Sequence, residues 1–142
     1  MHTGVMRTII ALGLPALMAA CHQKSAAAPL PVIDWSTSPL DLNLRGMNGG
    51  TYLFRCPIGK PTPEAVVGSD IYTDASAICP AAAHAGELDP TRGGVVLIRI
   101  LPGQNDYRGT IRNYIFSQSY APAWGGSFAV LSPSKFQEKS AR

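Results

Sequence analysis

His84 ends an alanine-rich run and stands within fifteen residues of Asp70, Asp74, Glu87 and Asp89. An imidazole near carboxylates is the material of general acid–base catalysis, or of metal binding when three or four donors converge. The spacing supports neither. No other His or Cys falls at a metal-ligand interval, and the only histidine between the apolar leader and His84 is His22. The four carboxylates could be imagined as the pair used in glycosidic chemistry. Each, however, also sits where a turn or a helix cap wants a short acid. No Gly-x-Ser-x-Gly elbow marks a nucleophile, and Gly93-Gly94 and Gly125-Gly126 lack the strand–loop–helix setting of a phosphate cradle. His84 is therefore read as structural, buried with one ring nitrogen donating to a backbone carbonyl. No catalytic residue, metal or cofactor is expected.

A basic segment offers different chemistry. Arg92, Arg99, Arg108 and Arg112 are opposed between positions 92 and 112 by a single acid, Asp106. Tyr107, Tyr114, Tyr120 and Trp124 lie in or near the same stretch. Guanidinium groups among exposed aromatics suit anionic glycans or lipid head groups, through charge-assisted hydrogen bonds and ring stacking. Arginines on solvated strand faces above an aromatic core would give the same pattern. The four arginines are the candidate ligand-binding residues.

The elements that must position these groups are short. Leu40, Leu42 and Leu44 alternate with Asp41 and Asn43, and Thr51 to Cys56 alternates again after Asn48-Gly49-Gly50. Two period-2 runs around an Asn-Gly pair predict a hairpin. Pro57 to Pro63 is a loop, and Val66-Val67 and Ile71-Tyr72 read as short strands. Between Asp74 and Gly86 the alanines predict the chain's best helix. Pro80 limits its start, Ser76 or Cys79 is the expected N-cap, and Gly86 is the C′ residue. Val95 to Leu101 is a branched, mostly buried strand. Tyr107 to Arg112, Ile115-Phe116 and Ser127 to Leu131 supply the remaining strand material.

The N-terminus sets the address. Thr8 to Ala20 is an apolar run behind Arg7. At about 1.5 Å per residue it cannot cross a hydrocarbon core of about 30 Å, but it suits a signal peptide spanning 1–20. Leu17-Met18-Ala19-Ala20-Cys21 resembles the lipobox of bacterial lipoproteins, which makes Cys21 the lipidated first residue of the mature chain, carrying acyl groups such as palmitate. An ordinary secretory cut near Ala20 is the alternative. More than one acyl chain gives stable anchoring without a transmembrane helix. His22, in place of an inner-membrane-retaining Asp, favours the outer membrane facing the periplasm. Residues 21–34 form the tether and 132–142 a mobile polar tail. Loss of Arg7 lowers the formal charge from +3 to +2, too little for a nucleic-acid partner. With 14 glycines and 12 prolines in 142 residues, the chain reads as one turn-rich domain with much β-structure. With Cys21 lipidated, Cys56 and Cys79 remain in an oxidising compartment, where a pair suggests a disulfide. Two buried thiols are the alternative.

Phe54-Arg55-Cys56-Pro57, then Ile71 to Gly86 and Gly93-Gly94-Val95-Val96, run in the order of a known module. Tyr107-Arg108-Gly109, Asn113, Ser117 to Tyr120 and Trp124-Gly125-Gly126-Ser127-Phe128 continue the pattern. This resembles the LCCL domain, an extracellular module, over residues 35–131. The resemblance implies an α+β fold with one central helix packed between two small β-sheets, and no established catalytic residues. Animal members have been associated with lipopolysaccharide recognition. The sequence departs from the family at Lys60, where a further cysteine is usual, so Cys79 lacks its usual partner and must find Cys56. The expectation is a non-enzymatic, lipid-anchored protein of the bacterial cell envelope that binds an anionic glycan, glycolipid or protein. A structural accessory of envelope assembly is the alternative, and an enzyme acting on cell-wall carbohydrate comes third.

Overall fold

The computed structural model describes Gly13 and residues 29–135. Apart from Gly13, the expected signal peptide, with the expected lipidation residue Cys21, most of the expected tether and residues 136–142 of the expected tail, lies outside the described residues. Among the described residues, no helix is long and apolar enough to cross a membrane.

The fold is α+β. Its strands are β1 (Thr51–Cys56), β2 (Gly68–Ser69), β3 (Ile71–Thr73), β4 (Gly94–Pro102), β5 (Ile111–Arg112), β6 (Ile115–Phe116) and β7 (Gly126–Leu131); one helix, α1 (Ile78–His84), lies between β3 and β4. The main sheet has the order β1-β4-β7-β3-β2 and is antiparallel throughout. β5 and β6 form a separate hairpin. Alternation sends Phe54, Cys56, Val96, Ile98, Ile100, Tyr72 and Phe128 into one core with α1. The same alternation leaves Leu53, Arg55, Leu97, Arg99 and Leu131 on the sheet's outer face. Ile115 of β6 closes the core from the other side of the helix.

The helix is short and every residue of it is buried. Ala81, Ala82 and Ala83 present little bulk, so backbone can approach on all sides. The N-cap is Ala77, not Ser76 or Cys79, and it makes no side-chain cap. Ser76 is occupied elsewhere: its hydroxyl accepts from the Val67 amide at 2.9 Å. The Ile78 amide is instead satisfied by the Thr37 carbonyl at 2.9 Å. Pro80 falls in the first turn, where its missing N–H is not needed. At the other end Gly86 takes φ 82°. Its amide donates to the Ala83 carbonyl and that of Glu87 to Ala82, a Schellman closure. Cys56 and Cys79 are joined, with Cα atoms 5.8 Å apart, so the end of β1 is stapled to the first turn of α1.

The expected hairpin of 40–44 with 51–56 does not form. Residues 39–43 are turns. The Asp41 carboxylate accepts from the Ser38 amide and hydroxyl, Leu44 donates to the Pro39 carbonyl, and Asn43 takes φ 56°. Such side-chain bonds compete with a strand ladder. Leu42 and Leu44 still pack on the core, from a coil. β1 pairs with β4 instead, Tyr52 opposite Ile98. Val66-Val67 is likewise no strand; Val67 makes only an isolated bridge to Gln118, and the strand starts at Gly68. Of Tyr107 to Arg112 only the last two residues are strand.

Candidate functional site

Of the residues with catalytic potential, His84 and Asp74 are buried and engaged inside the molecule. His84 is fully buried. Its Nε2 lies 3.3 Å from the Thr110 carbonyl and its Nδ1 2.9 Å from the Tyr72 hydroxyl. A carbonyl only accepts, so Nε2 carries the proton and Nδ1 accepts from Tyr72. Burial holds the imidazole pKa below its ordinary value, against the opposing effect of the Thr110 carbonyl. The ring is neutral, with both nitrogens occupied. Burial also pushes the Tyr72 phenol up to about 12.

Asp74 is the one buried carboxylate among the described residues, 1% exposed. Arg45 grips it with Nε to Oδ2 at 2.7 Å and Nη2 to Oδ1 at 2.8 Å, and the Trp124 indole donates to Oδ1 at 2.7 Å. The guanidinium carbon also sits 5.5 Å from the Trp124 ring centre. The backbone amide of Asp74 donates to Gly126 and its carbonyl accepts from Leu40. Burial alone would raise this carboxyl; the hydrogen bonds from Arg45 and Trp124 together outweigh that and leave it below the usual range. A Cβ on Gly126 would collide with Oδ2, which explains the second glycine of Gly125-Gly126. The aspartate is a clasp between the 38–46 coil, the start of the helix segment and β7. It is no free acid.

Asp70 and Asp89 are exposed but each has a partner. Asp70 pairs with Arg112, Nη1 to Oδ1 at 2.5 Å. Asp89 Oδ1 accepts from the amide and hydroxyl of Thr91, while Oδ2 lies 3.8 Å from Arg92. A shallow depression lined by Glu87, Asp89 and Asn113 opens beside the helix end without reaching the His84 ring. Among the described residues, no three His, Cys, Asp or Glu side chains are grouped to hold a metal.

The four candidate arginines stand on four separate segments. Arg92 is in the loop before β4, Arg99 in β4, Arg108 in the loop before β5 and Arg112 in β5. Arg112 is closed by Asp70, and Arg92 leans on Asp89. Arg108 is exposed. Arg99 lies on the outer face of the main sheet between Thr51 and Ala129. Arg55 shares that face, opposite Val95. Beside the two cations lie Leu53, which is 42% exposed, and the half-buried Leu131, with Leu97 buried between them in the same cross-strand row. None of the residues that β1, β3, β4 and β7 place on this face is acidic. Arg55 escaped the sequence reading although its alternation with Leu53 was the available clue. Of the aromatics, Tyr107 is core, Tyr120 and Trp124 meet edge to face, and Tyr114 is wholly exposed.

The model of the LCCL domain family matches residues 33–128 of the chain. Human vitrin is 41% identical over 81 residues, 56% of this chain and 12% of vitrin. Bovine cochlin is 37% identical over 105 residues, covering 73% of this chain and 18% of cochlin. The mouse cysteine-rich secretory protein LCCL domain-containing 1 is 36% identical over 77 residues, 54% and 15% of the two chains. The chain thus spans under a fifth of the length of these relatives.

Proposed function

The chain belongs to the LCCL domain family, and from that premise we propose that it is an exported recognition module that binds without catalysis. Its disulfide suits an oxidising compartment outside the cytoplasm. The ligand we propose is an anionic amphiphile of the cell envelope, a glycolipid of the lipopolysaccharide kind. One observation carries this reading: the outer sheet face sets Arg55 and Arg99 among Leu53, Val95 and Leu131 with no carboxylate on the same face. Cations meet phosphate or carboxylate groups while Leu53 and Leu131 meet acyl chains. Arg108, in the loop before β5, is a further exposed cation, while the charge of Arg92 is offset by Asp89.

Lipid on Cys21 would hold this face near a bacterial membrane, where such ligands are concentrated. The test is co-sedimentation of the chain with vesicles, zwitterionic alone or containing an anionic glycolipid, at two salt concentrations. Binding should require the glycolipid and weaken with salt, because exposed charges are screened beyond about 8 Å at physiological ionic strength. Replacing Arg55 and Arg99 by Gln should remove about 2 kcal/mol, roughly thirtyfold in affinity, at about 1 kcal/mol per cation. Arg112 is a poor choice for this test, since its loss also breaks the pair with Asp70. Equal binding to zwitterionic vesicles, or by the double variant, would sink the proposal. An assembly role without a small ligand would then be the better reading.

A further inference from the structure

A second surface lies where the β5–β6 hairpin meets the proline loop. Pro61, Pro63 and Glu64 line an open groove with Tyr114, Phe116 and Gln118. Its volume of about 660 Å³ is within the range of ligand sites, roughly 300–1,000 Å³. Ile111 and Phe116 are register partners and share the hairpin's outward face, where they are 74% and 59% exposed. Tyr114, at the turn, is 104% exposed and its ring is covered by none of the described residues.

The backbone makes that exposure expensive. Asn113 and Tyr114 take φ 50° and 63°, and Glu64 takes φ 69°. A two-residue turn with both φ values positive favours glycine at its second position, and a bulky aromatic there is strained. The hairpin is nevertheless firmly held. Asn113 Nδ2 donates to the His84 carbonyl at 2.9 Å, Arg112 pairs with Asp70, and Ile115 is buried against the helix. The fold thus supports, at a strained position, an aromatic ring that does nothing for the fold. Strain of this kind clusters at ligand clamps.

We propose that this groove binds an extended, proline-containing peptide segment with Lys or Arg beside its prolines. Two aromatic rings flanked by prolines match the preformed polyproline helix, which stacks on such walls at little entropic cost. Glu64 is the groove's one charged lining residue and, among the described residues, enters no ion pair. It selects a cation and repels an anionic ligand. The Gln118 backbone is fully engaged, its amide with Val66 and its carbonyl with Gly68, so its side-chain amide is the part that faces a ligand. This surface and its ligand charge are opposite to those proposed for the sheet face, so either proposal can fail alone.

The experiment is fluorescence anisotropy of a labelled synthetic peptide, rich in Pro and Leu and ending in two arginines, titrated with the full chain. Saturable binding is expected. It should fall at least tenfold in Tyr114→Gly and in Phe116→Ala, and lose its salt dependence in Glu64→Gln. Tyr114→Gly should melt higher than the wild type while binding less, a combination that a structural role for Tyr114 cannot produce. Equal binding of the peptide with Asp in place of Arg would overturn the proposal. So would unchanged affinity of Tyr114→Gly, or no binding at all.

Discussion

Replacing Asp74 by Asn tests the clasp at the centre of the fold. The carboxylate accepts three bonds, two from Arg45 and one from Trp124, at 2.7–2.8 Å. Hydrogen bonds to charged groups contribute about 1.5–3 kcal/mol each. Asn keeps the volume and one acceptor, but its amide then points at a donor. Removing one partner of a buried pair costs about 3–5 kcal/mol. The Arg45 side chain is 40% exposed and can rehydrate, which places the loss at the low end, about 3 kcal/mol. For a domain of this size that is a fall in melting temperature of about 12–24 °C. Asp70→Asn is the control. There the carboxylate side chain is 77% exposed, so its pair with Arg112 is worth less than about 1 kcal/mol. Thermal unfolding followed by circular dichroism at neutral pH compares the two. An Asp74→Asn protein within a few degrees of wild type, or an Asp70→Asn protein equally damaged, would refute the reasoning.

Three further outcomes are expected. His84 has its pKa lowered by burial, so as pH falls through the ordinary imidazole range the unfolded chain takes up a proton more readily than the folded chain. Stability should therefore fall as pH drops below about 6.5. Urea unfolding above and below that pH should show a smaller fall for His84→Gln; equal falls would mean that another group sets the dependence. Replacing both Cys56 and Cys79 by Ser opens a link across 23 positions and should cost about 3 kcal/mol on the chain-entropy model, read from denaturant midpoints; an unchanged midpoint would argue against it. Cys21→Ala should release the protein from membranes or leave its leader uncut, and normal membrane retention with normal mature mass would contradict lipidation.

The sequence carried the elements whose pattern is local. The alanine run with Gly86 marked the helix and its Schellman end, and the branched run 95–101 marked the central strand. The chain segment 40–44 misled because Leu40, Leu42 and Leu44 alternate like a strand. The decisive interactions there are between Ser38 and Asp41 and between Leu44 and Pro39, and turn chemistry outweighs a period of two. The clasp was illegible because Arg45, Asp74 and Trp124 are separated by 29 and 50 positions, with no motif relating them. Likewise Arg55 and Arg99 become neighbours on one face only through the β1–β4 register. Tyr114 looked like one more aromatic of a core. Its exposure follows from a tight turn that Asn113 hinted at but Tyr114 should have argued against.

The most direct test of recognition by the sheet face is a nuclear magnetic resonance titration of the isotopically labelled chain with anionic glycolipid micelles. Amide shifts should concentrate in Thr51 to Arg55, Val95 to Leu101 and Ala129 to Leu131, and should be absent with zwitterionic micelles. Shifts confined to other surfaces, or none at saturating glycolipid, would contradict a ligand site on the outer face of the sheet.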